Sequence, residues 1–341
     1  MLKHPSNLLF TTGALAVFGT VSAALAYVLL APSIDRSDPR QHRLTLAGKL
    51  RIKLLRALPS KALMCLWNKG RKMPLKAVQA IEERSIPTRY GGVPCRLYYP
   101  HHRAAQPLPV FISLHGGGFV IRGIDQDDAL CRYLAHEAGC VVVNVDYSVA
   151  PEYPFPQAVQ ECFDVVNWVG SSGEPFGIDA HRIALGGYSA GGNLTAAVAL
   201  MNLTENAFGL CLQILGYAPL DHVTPAEAKN WLPGKQLLTE KNTGLFTTAY
   251  LPNVAQRSDP LASPVLAHDV AGLPPALIIT AEYDLLKTDS ERYAQRLQEG
   301  GVAVDYHLFE GVDHGFTHVG PKRQALAAWQ LIARSLKKAF D

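Results

Sequence analysis

The pentapeptide Gly187-Tyr188-Ser189-Ala190-Gly191, with Gly192 after it, constrains the fold more than any other part of this chain. It directly follows the apolar run Ile183-Ala184-Leu185 and directly precedes a helical stretch, Gly191–Leu203. A serine set between glycines at such a junction fits a sharp strand-to-helix turn. The glycines let the backbone double back, so that the serine projects from the strand end. The new helix brings its dipole and unpaired N–H groups to the point where negative charge would form. A buried strand feeding a helix is half of a βα unit, and such units build parallel sheets.

The same alternation runs from Pro87 to the C-terminus. Strand patterns fall at Arg96–Tyr99, Pro109–Leu114, Val141–Asp146, Ile183–Gly186, Cys211–Tyr217, Ala276–Thr280 and Val302–Phe309. Helical patterns fall between and after them, at Asp127–Ala138, Ala158–Ser171, Gly191–Leu203, Ser290–Glu299 and Arg323–Phe340. The expected class is α/β, with a mostly parallel central sheet covered by helices on both faces. Residues 221–263 break the rhythm, are rich in Pro, Asn and Thr, and read as an insertion over the site. A length of 341 residues suits one large domain with an appendage. The six cysteines form no CxxC pair and no metal-ligand spacing, and a core this size needs no disulfides, so free thiols are expected.

The first 72 residues differ in texture. No charge occurs between Lys3 and Asp35, and Leu8–Ala31 is apolar over a length that crosses a bilayer as a helix. A cleaved signal peptide would end at Ala24-Leu25-Ala26. A retained anchor would use the whole run, which continues apolar past that point, and it is the favoured reading. From Arg36 to Lys72 there are eleven Lys or Arg against the single acid Asp38, a charge of +10, while the whole chain carries only +3. The body is therefore net acidic. Positive charge after the run places the catalytic body on the cytoplasmic side. Residues 44–66 read as one or two amphipathic helices broken at Pro59, either a cap on the body or a membrane-surface element. The expected organisation is a membrane or signal segment at 1–34, a basic cap segment at 35–85, and a catalytic domain at 86–341.

A serine hydroxyl is a weak nucleophile near neutral pH and needs a base, itself oriented by a third group. On a strand-to-helix elbow the chain order is serine, acid, histidine. His314 lies in the turn Gly311-Val312-Asp313-His314-Gly315-Phe316 after the last strand pattern, with His318 as runner-up. Asp284 follows the strand Ala276–Thr280, with Glu282 as its rival; Asp313 adjoins His314, and Asp289 falls in the next helix. His115-Gly116-Gly117-Gly118-Phe119 closes another strand, and its consecutive glycines expose amides suited to an oxyanion. The Ala190 amide would be a further donor.

Together these residues resemble the hormone-sensitive-lipase-like group of bacterial esterases and lipases. The likeness spans about residues 85–335. It rests on His115–Phe119, Gly187–Asn193, the run Asp146-Tyr147-Ser148-Val149-Ala150-Pro151-Glu152-Tyr153-Pro154-Phe155-Pro156, Asp284-Leu285-Leu286 and His314-Gly315-Phe316. It implies an α/β-hydrolase fold with a helical cap from about residues 40–85 and 221–263. It also implies a triad of Ser189, Asp284 and His314. The oxyanion donors would then be Gly117, Gly118 and Ala190, with His115 and Gly116 in support. The expected activity is hydrolysis of short- to medium-chain apolar esters, with no cofactor and no metal. The expected partners are a small ester and, through residues 8–72, a membrane surface, but no nucleic acid. A lipase on longer chains, an amidase and a silent binding protein are the rivals. A fluorophosphonate probe and paired ester and amide rates separate them. Two departures from the family stand out: Tyr188 where an acid is common, and Ser148 where an arginine is common.

Overall fold

The computed structural model describes residues 31–57, 73–101, 107–229 and 237–341. The apolar run Leu8–Ala31, apart from Ala31, lies outside the described residues, as does Cys65. Among the described residues no helix is long and apolar enough to cross a membrane.

The chain opens on a hairpin, β1 (Ile34–Asp38) and β2 (Gln41–Leu44), and a helix α1 (Leu46–Ala57). Then come β3 (Ala80–Thr88), β4 (Gly91–Tyr99), β5 (Leu108–Leu114), α2 (Asp128–Ala138), β6 (Val141–Val145), α3 (Gln157–Ser172) and β7 (Ile178–Tyr188). After them follow α4 (Ala190–Glu205), β8 (Leu212–Gly216), α5 (Glu240–Tyr250), β9 (Ala276–Ala281), α6 (Lys287–Glu299) and β10 (Val304–Phe309). Two last helices are α7 (Phe316–Val319) and α8 (Lys322–Phe340).

Strands β3 to β10 form one sheet in the order β10-β9-β8-β7-β5-β6-β4-β3. Only β4 runs against its neighbours; the other pairings are parallel. Every residue of β5, β6, β8 and β9 is buried. That is why these strands read as mostly apolar runs, broken only by single buried polar residues such as Asn144 and Gln213, rather than as alternating ones. Side chains alternate across the pleat. Ile112, Leu114, Val143 and Leu185 meet α3 and α4 on one face. Phe111, Val142, Ala184 and Ile279 meet α2 and α8 on the other. The strand order reverses around β5, which lies between β6 and β7. Ligands in such sheets bind beyond the carboxyl ends of strands at this reversal.

Two elements carry no clear signature in the sequence. The edge strand β3 presents Glu83, Arg84 and Ser85 to solvent beside partly exposed Glu82, so it shows no apolar alternation. The β1–β2 hairpin is short and charged. It is held by the insertion: His42 N–H donates to Pro252 O at 3.0 Å, and Val254 N–H donates to Arg40 O at 3.0 Å. Two distant segments therefore pack together, the hairpin with α1 and the stretch around α5. Arg56 of α1 ties this helix to the body through Val120 O (2.7 Å) and Glu152 (2.8 and 2.9 Å). Five cysteines are free among the described residues, four of them buried.

Candidate active site

The turn after β7 is built by close backbone contact. A Cβ on Gly191 would stand 1.9 Å from Leu114 O, and one on Gly187 2.4 Å from the Gly191 backbone. Only glycine permits that approach of α4 to β5. Ser189 is left at φ 52 and ψ −119, a conformation that costs energy for a residue with a side chain. Its N–H donates to Gly216 O at 2.8 Å, which helps to hold the turn.

Asp284 and His314 come to this point from the ends of β9 and β10. His314 Nδ1 lies 2.7 Å from Asp284 Oδ2, and Nε2 lies 2.9 Å from Ser189 Oγ. Asp284 is fully buried, and its Oδ1 accepts the Leu286 N–H at 2.9 Å. A buried carboxylate on Nδ1 keeps that nitrogen protonated and leaves the Nε2 lone pair toward the serine. The Tyr217 ring stands edge-on to the His314 ring, centroids 5.0 Å apart, and fixes its plane from the side.

The rival residues have other partners. Glu282 accepts the Gly311 N–H at 2.8 Å. Asp313 accepts the amides of Leu237 and His314 at 2.5 and 2.6 Å. Asp289 is buried inside α6, paired with Lys229 at 2.8 Å. His222 lies in the insertion, where burial first and then Lys229 push its pKa down to about 3.

The glycine loop after β5 holds three successive left-handed residues, Gly117 (φ 127), Gly118 (φ 59) and Phe119 (φ 62). A Cβ on Gly118 would enter the Phe246 ring at 2.6 Å. His115 lies beneath the loop rather than in the cleft. It is fully buried, stacks on Tyr147 at 4.2 Å, and its Nδ1 is 2.6 Å from Gly116 O. Tyr147 OH donates to His115 O at 2.6 Å, and Gln126 donates to Gly116 O at 3.0 Å. Ser148 donates through N–H and Oγ to buried Glu161 at 2.7 and 2.8 Å.

Sequence reasoning missed the second imidazole–carboxylate pair. His318 Nε2 lies 2.9 Å from Oδ1 of fully buried Asp127. Its Nδ1 meets Thr317 Oγ1 at 2.8 Å and Tyr217 OH at 3.2 Å. Tyr188, the departure noted at the elbow, packs edge-on against that imidazole at 5.2 Å. A helix-start pattern hides Asp127, and only Tyr188 in place of an acid hinted at a rearrangement there.

Ser189 and His314 open on a cleft of about 300 Å³. Leu55, Leu238, Phe246 and Val319 supply much of its apolar wall, with Tyr217 and His318 at its base. A recess of about 30 Å³ adjoins Ser189 and Gly118, bounded by Phe119, His222, Leu238 and Phe246.

A family model described as the alpha/beta hydrolase fold matches residues 111–318. The chain is 36% identical over 245 residues to the carboxylic ester hydrolase LipN of Mycobacterium tuberculosis, covering 70% of this chain and 65% of LipN. It is 34% identical over 273 residues to an arylesterase of Saccharolobus solfataricus, covering 80% of this chain and 87% of that one. A solved hyperthermophilic esterase from Pyrobaculum calidifontis superposes with a TM-score of 0.77 at 33% identity, covering 85% of this chain and 94% of its own. The chain belongs to the α/β-hydrolase fold family, in its hormone-sensitive-lipase-like group of carboxylic ester hydrolases.

Proposed function

We propose that this chain hydrolyses carboxylic esters with Ser189 as nucleophile, His314 as general base and acid, and Asp284 as the group that orients it. The observation that carries this is the unbroken hydrogen-bond series Asp284–His314–Ser189 opening on the cleft. Ser189 Oγ attacks the ester carbonyl as its proton passes to His314 Nε2. The carbonyl π electrons move to oxygen, which the Gly117, Gly118 and Ala190 amides receive. Ala190 is the first residue of α4, so its N–H has no partner within the helix. His314 then gives its proton to the departing alkoxy oxygen as the C–O bond breaks. Water attacks the acyl-enzyme by the same route, releasing the acid and restoring Ser189.

The leaving alcohol must face His314, which protonates it, and so occupies the wide cleft. The acyl group then points into the recess away from His314. The recess is small, about 30 Å³, so each added methylene needs more displacement of Phe246 or Leu238, and shorter acyl chains are favoured over long ones. Across a 4-nitrophenyl ester series, kcat/KM is expected to fall roughly tenfold or more from hexanoate to palmitate, a loss of at least 1.4 kcal/mol in transition-state binding. Faster turnover of emulsified long-chain glyceride than of soluble butyrate would reverse the assignment of recess and cleft.

The sequence supports a second reading, on location. Leu8–Ala31 stays attached as a membrane anchor, and the basic segment that follows keeps the catalytic body on the cytoplasmic side. Each basic residue near anionic headgroups adds roughly 1 kcal/mol of attraction. N-terminal sequencing of the mature protein is expected to find residues 8–31 retained in the membrane fraction. A soluble exported chain starting at Tyr27 would show cleavage instead. A C-terminal reporter active only outside the cytoplasmic membrane would reverse the orientation.

A further inference from the structure

Behind the recess lies a separate cavity of about 220 Å³ that the ester mechanism does not use. Recess and cavity share Pro219, His222, Thr243, Thr247 and Leu286 as walls. The cavity forms at the seam where the β1–β2 hairpin meets the insertion. The hairpin brings Arg36 and His42, and the insertion brings Arg257. Gln41 bridges to Asn253, which sets the two segments side by side.

The charge arrangement there is unusual. Arg257 is half-buried, and its Nε is fully buried without a hydrogen-bond partner. Its Nη2 is 3.0 Å from His42 Nδ1, a contact that leaves the imidazole nitrogen as acceptor. No ion pair joins Arg257 or Arg36 to a carboxylate among the described residues. The charge that acts on Arg257 is another cation, Arg36. Burial first, and then Arg36, hold the Arg257 pKa below the ordinary guanidinium range. His42 is lowered by burial first and then by both arginines. The neighbouring cation behaves differently: Lys229 is buried with Asp289 at 2.8 Å and needs nothing more. Asp221 is already held by Arg292 and Thr224. Glu227 and Glu240 line the same cavity but are exposed.

A half-buried guanidinium with a buried, unpartnered Nε and no carboxylate beside it has donor capacity left for an anion. A guanidinium presents its donors in a planar fork that fits an oxyanion. We propose that this cavity binds a small oxyanion, a carboxylate or phosphate group, between Arg257 and Arg36. Two sources fit that chemistry. One is a free anion acting as an effector. The other is the ionised far end of a short acyl chain, since the recess at Ser189 and the cavity share walls. Delivery on an acyl chain rests on the ester-hydrolase reading; capture of a free anion does not.

The test uses the full chain with inorganic phosphate, glutarate, 4-nitrophenyl butyrate and the mono-4-nitrophenyl ester of glutaric acid. Phosphate and glutarate are expected to raise the Tm saturably, by about 2–4 °C near saturation. Arg257→Gln should abolish the rise, and Arg36→Gln should weaken the apparent affinity by about tenfold. Butyrate turnover should persist in both variants and reports that they fold. If Arg257→Gln fails to fold, Arg36→Gln, at an exposed position, carries the test. A glutarate-to-butyrate ratio of kcat/KM that drops about tenfold or more in the variants assigns the acyl end as the source. An unchanged ratio with a lost Tm response assigns a free anion. No Tm response in the wild type, together with a glutarate-to-butyrate ratio that neither variant changes, would overturn the site. So would a response that both variants keep. Absent butyrate turnover in the wild type would count against the hydrolase reading alone, because the Tm response is read independently.

Discussion

Replacing Ser189 by alanine is expected to lower kcat by roughly 10⁴- to 10⁶-fold while leaving the fold intact. Alanine fits the same space and meets the same positive φ, so the strain of the turn is unchanged. The hydroxyl's hydrogen bond is to His314 Nε2, which faces the open cleft, so water can replace it there. Unfolding free energy should therefore shift by no more than about 0.5 kcal/mol. The measurement is a paired one, turnover of 4-nitrophenyl butyrate and the urea unfolding midpoint. A variant that keeps a tenth of wild-type kcat would remove Ser189 from the chemistry.

The second large effect separates the two imidazole–carboxylate pairs. His314→Ala is expected to cost roughly 10⁴-fold or more in kcat, because members of a triad act as a unit. His318→Ala should cost at most about tenfold, since its nitrogens face Asp127, Thr317 and Tyr217 rather than Ser189. Its loss appears in stability instead, at about 3 kcal/mol, because Asp127 is left buried without its partner. Assays must therefore run well below the unfolding temperature. Asp284→Asn belongs with His314→Ala. An amide there donates to Nδ1, moves the imidazole proton to Nε2, and takes away the lone pair that faces the serine; the cost is about 10⁴-fold. Glu282→Gln should be nearly silent, because that side chain only accepts the Gly311 amide. If His318→Ala proved worse for kcat than His314→Ala, the base would be misassigned.

What the sequence discloses follows from how local each signal is. Ser189 is legible because a glycine-flanked serine between strand and helix is a pattern within a dozen residues. His314 and Asp284 are legible because each sits just past an apolar strand, where chain order limits the choice. The strands β5, β6, β8 and β9 are legible because burial on both faces leaves them mostly apolar. The Asp127–His318 pair is not, since its partners are separated by 191 positions. Nothing local marks Asp127 as more than a polar residue before a helix. The hairpin at Ile34–Leu44 is equally silent, because its order comes from backbone bonds to Pro252 and Val254. Tyr217 is a case between these. Its strand is plain in the sequence, but its placement against His314 depends on a positive φ of 38 that no pattern announces.

The contact between Gly191 and Leu114 divides the site into a part that variation cannot touch and a part that it can. Backbone meets backbone there, so no amino acid larger than glycine can enter. The serine turn leads into α4 and the glycine loop leaves β5, the two elements that meet in this contact, and they form a fixed frame for the reacting atoms. Much of the rest of the cleft is bounded by side chains from elsewhere: Leu55 on α1, Leu238, Asn242 and Phe246 on the insertion, and Val319 on α7. Those positions lie on segments that reach the sheet only at its rim. A lineage of such proteins, or an engineer, that sought a new ester would find its freedom at these five positions while the chemistry stayed as it is.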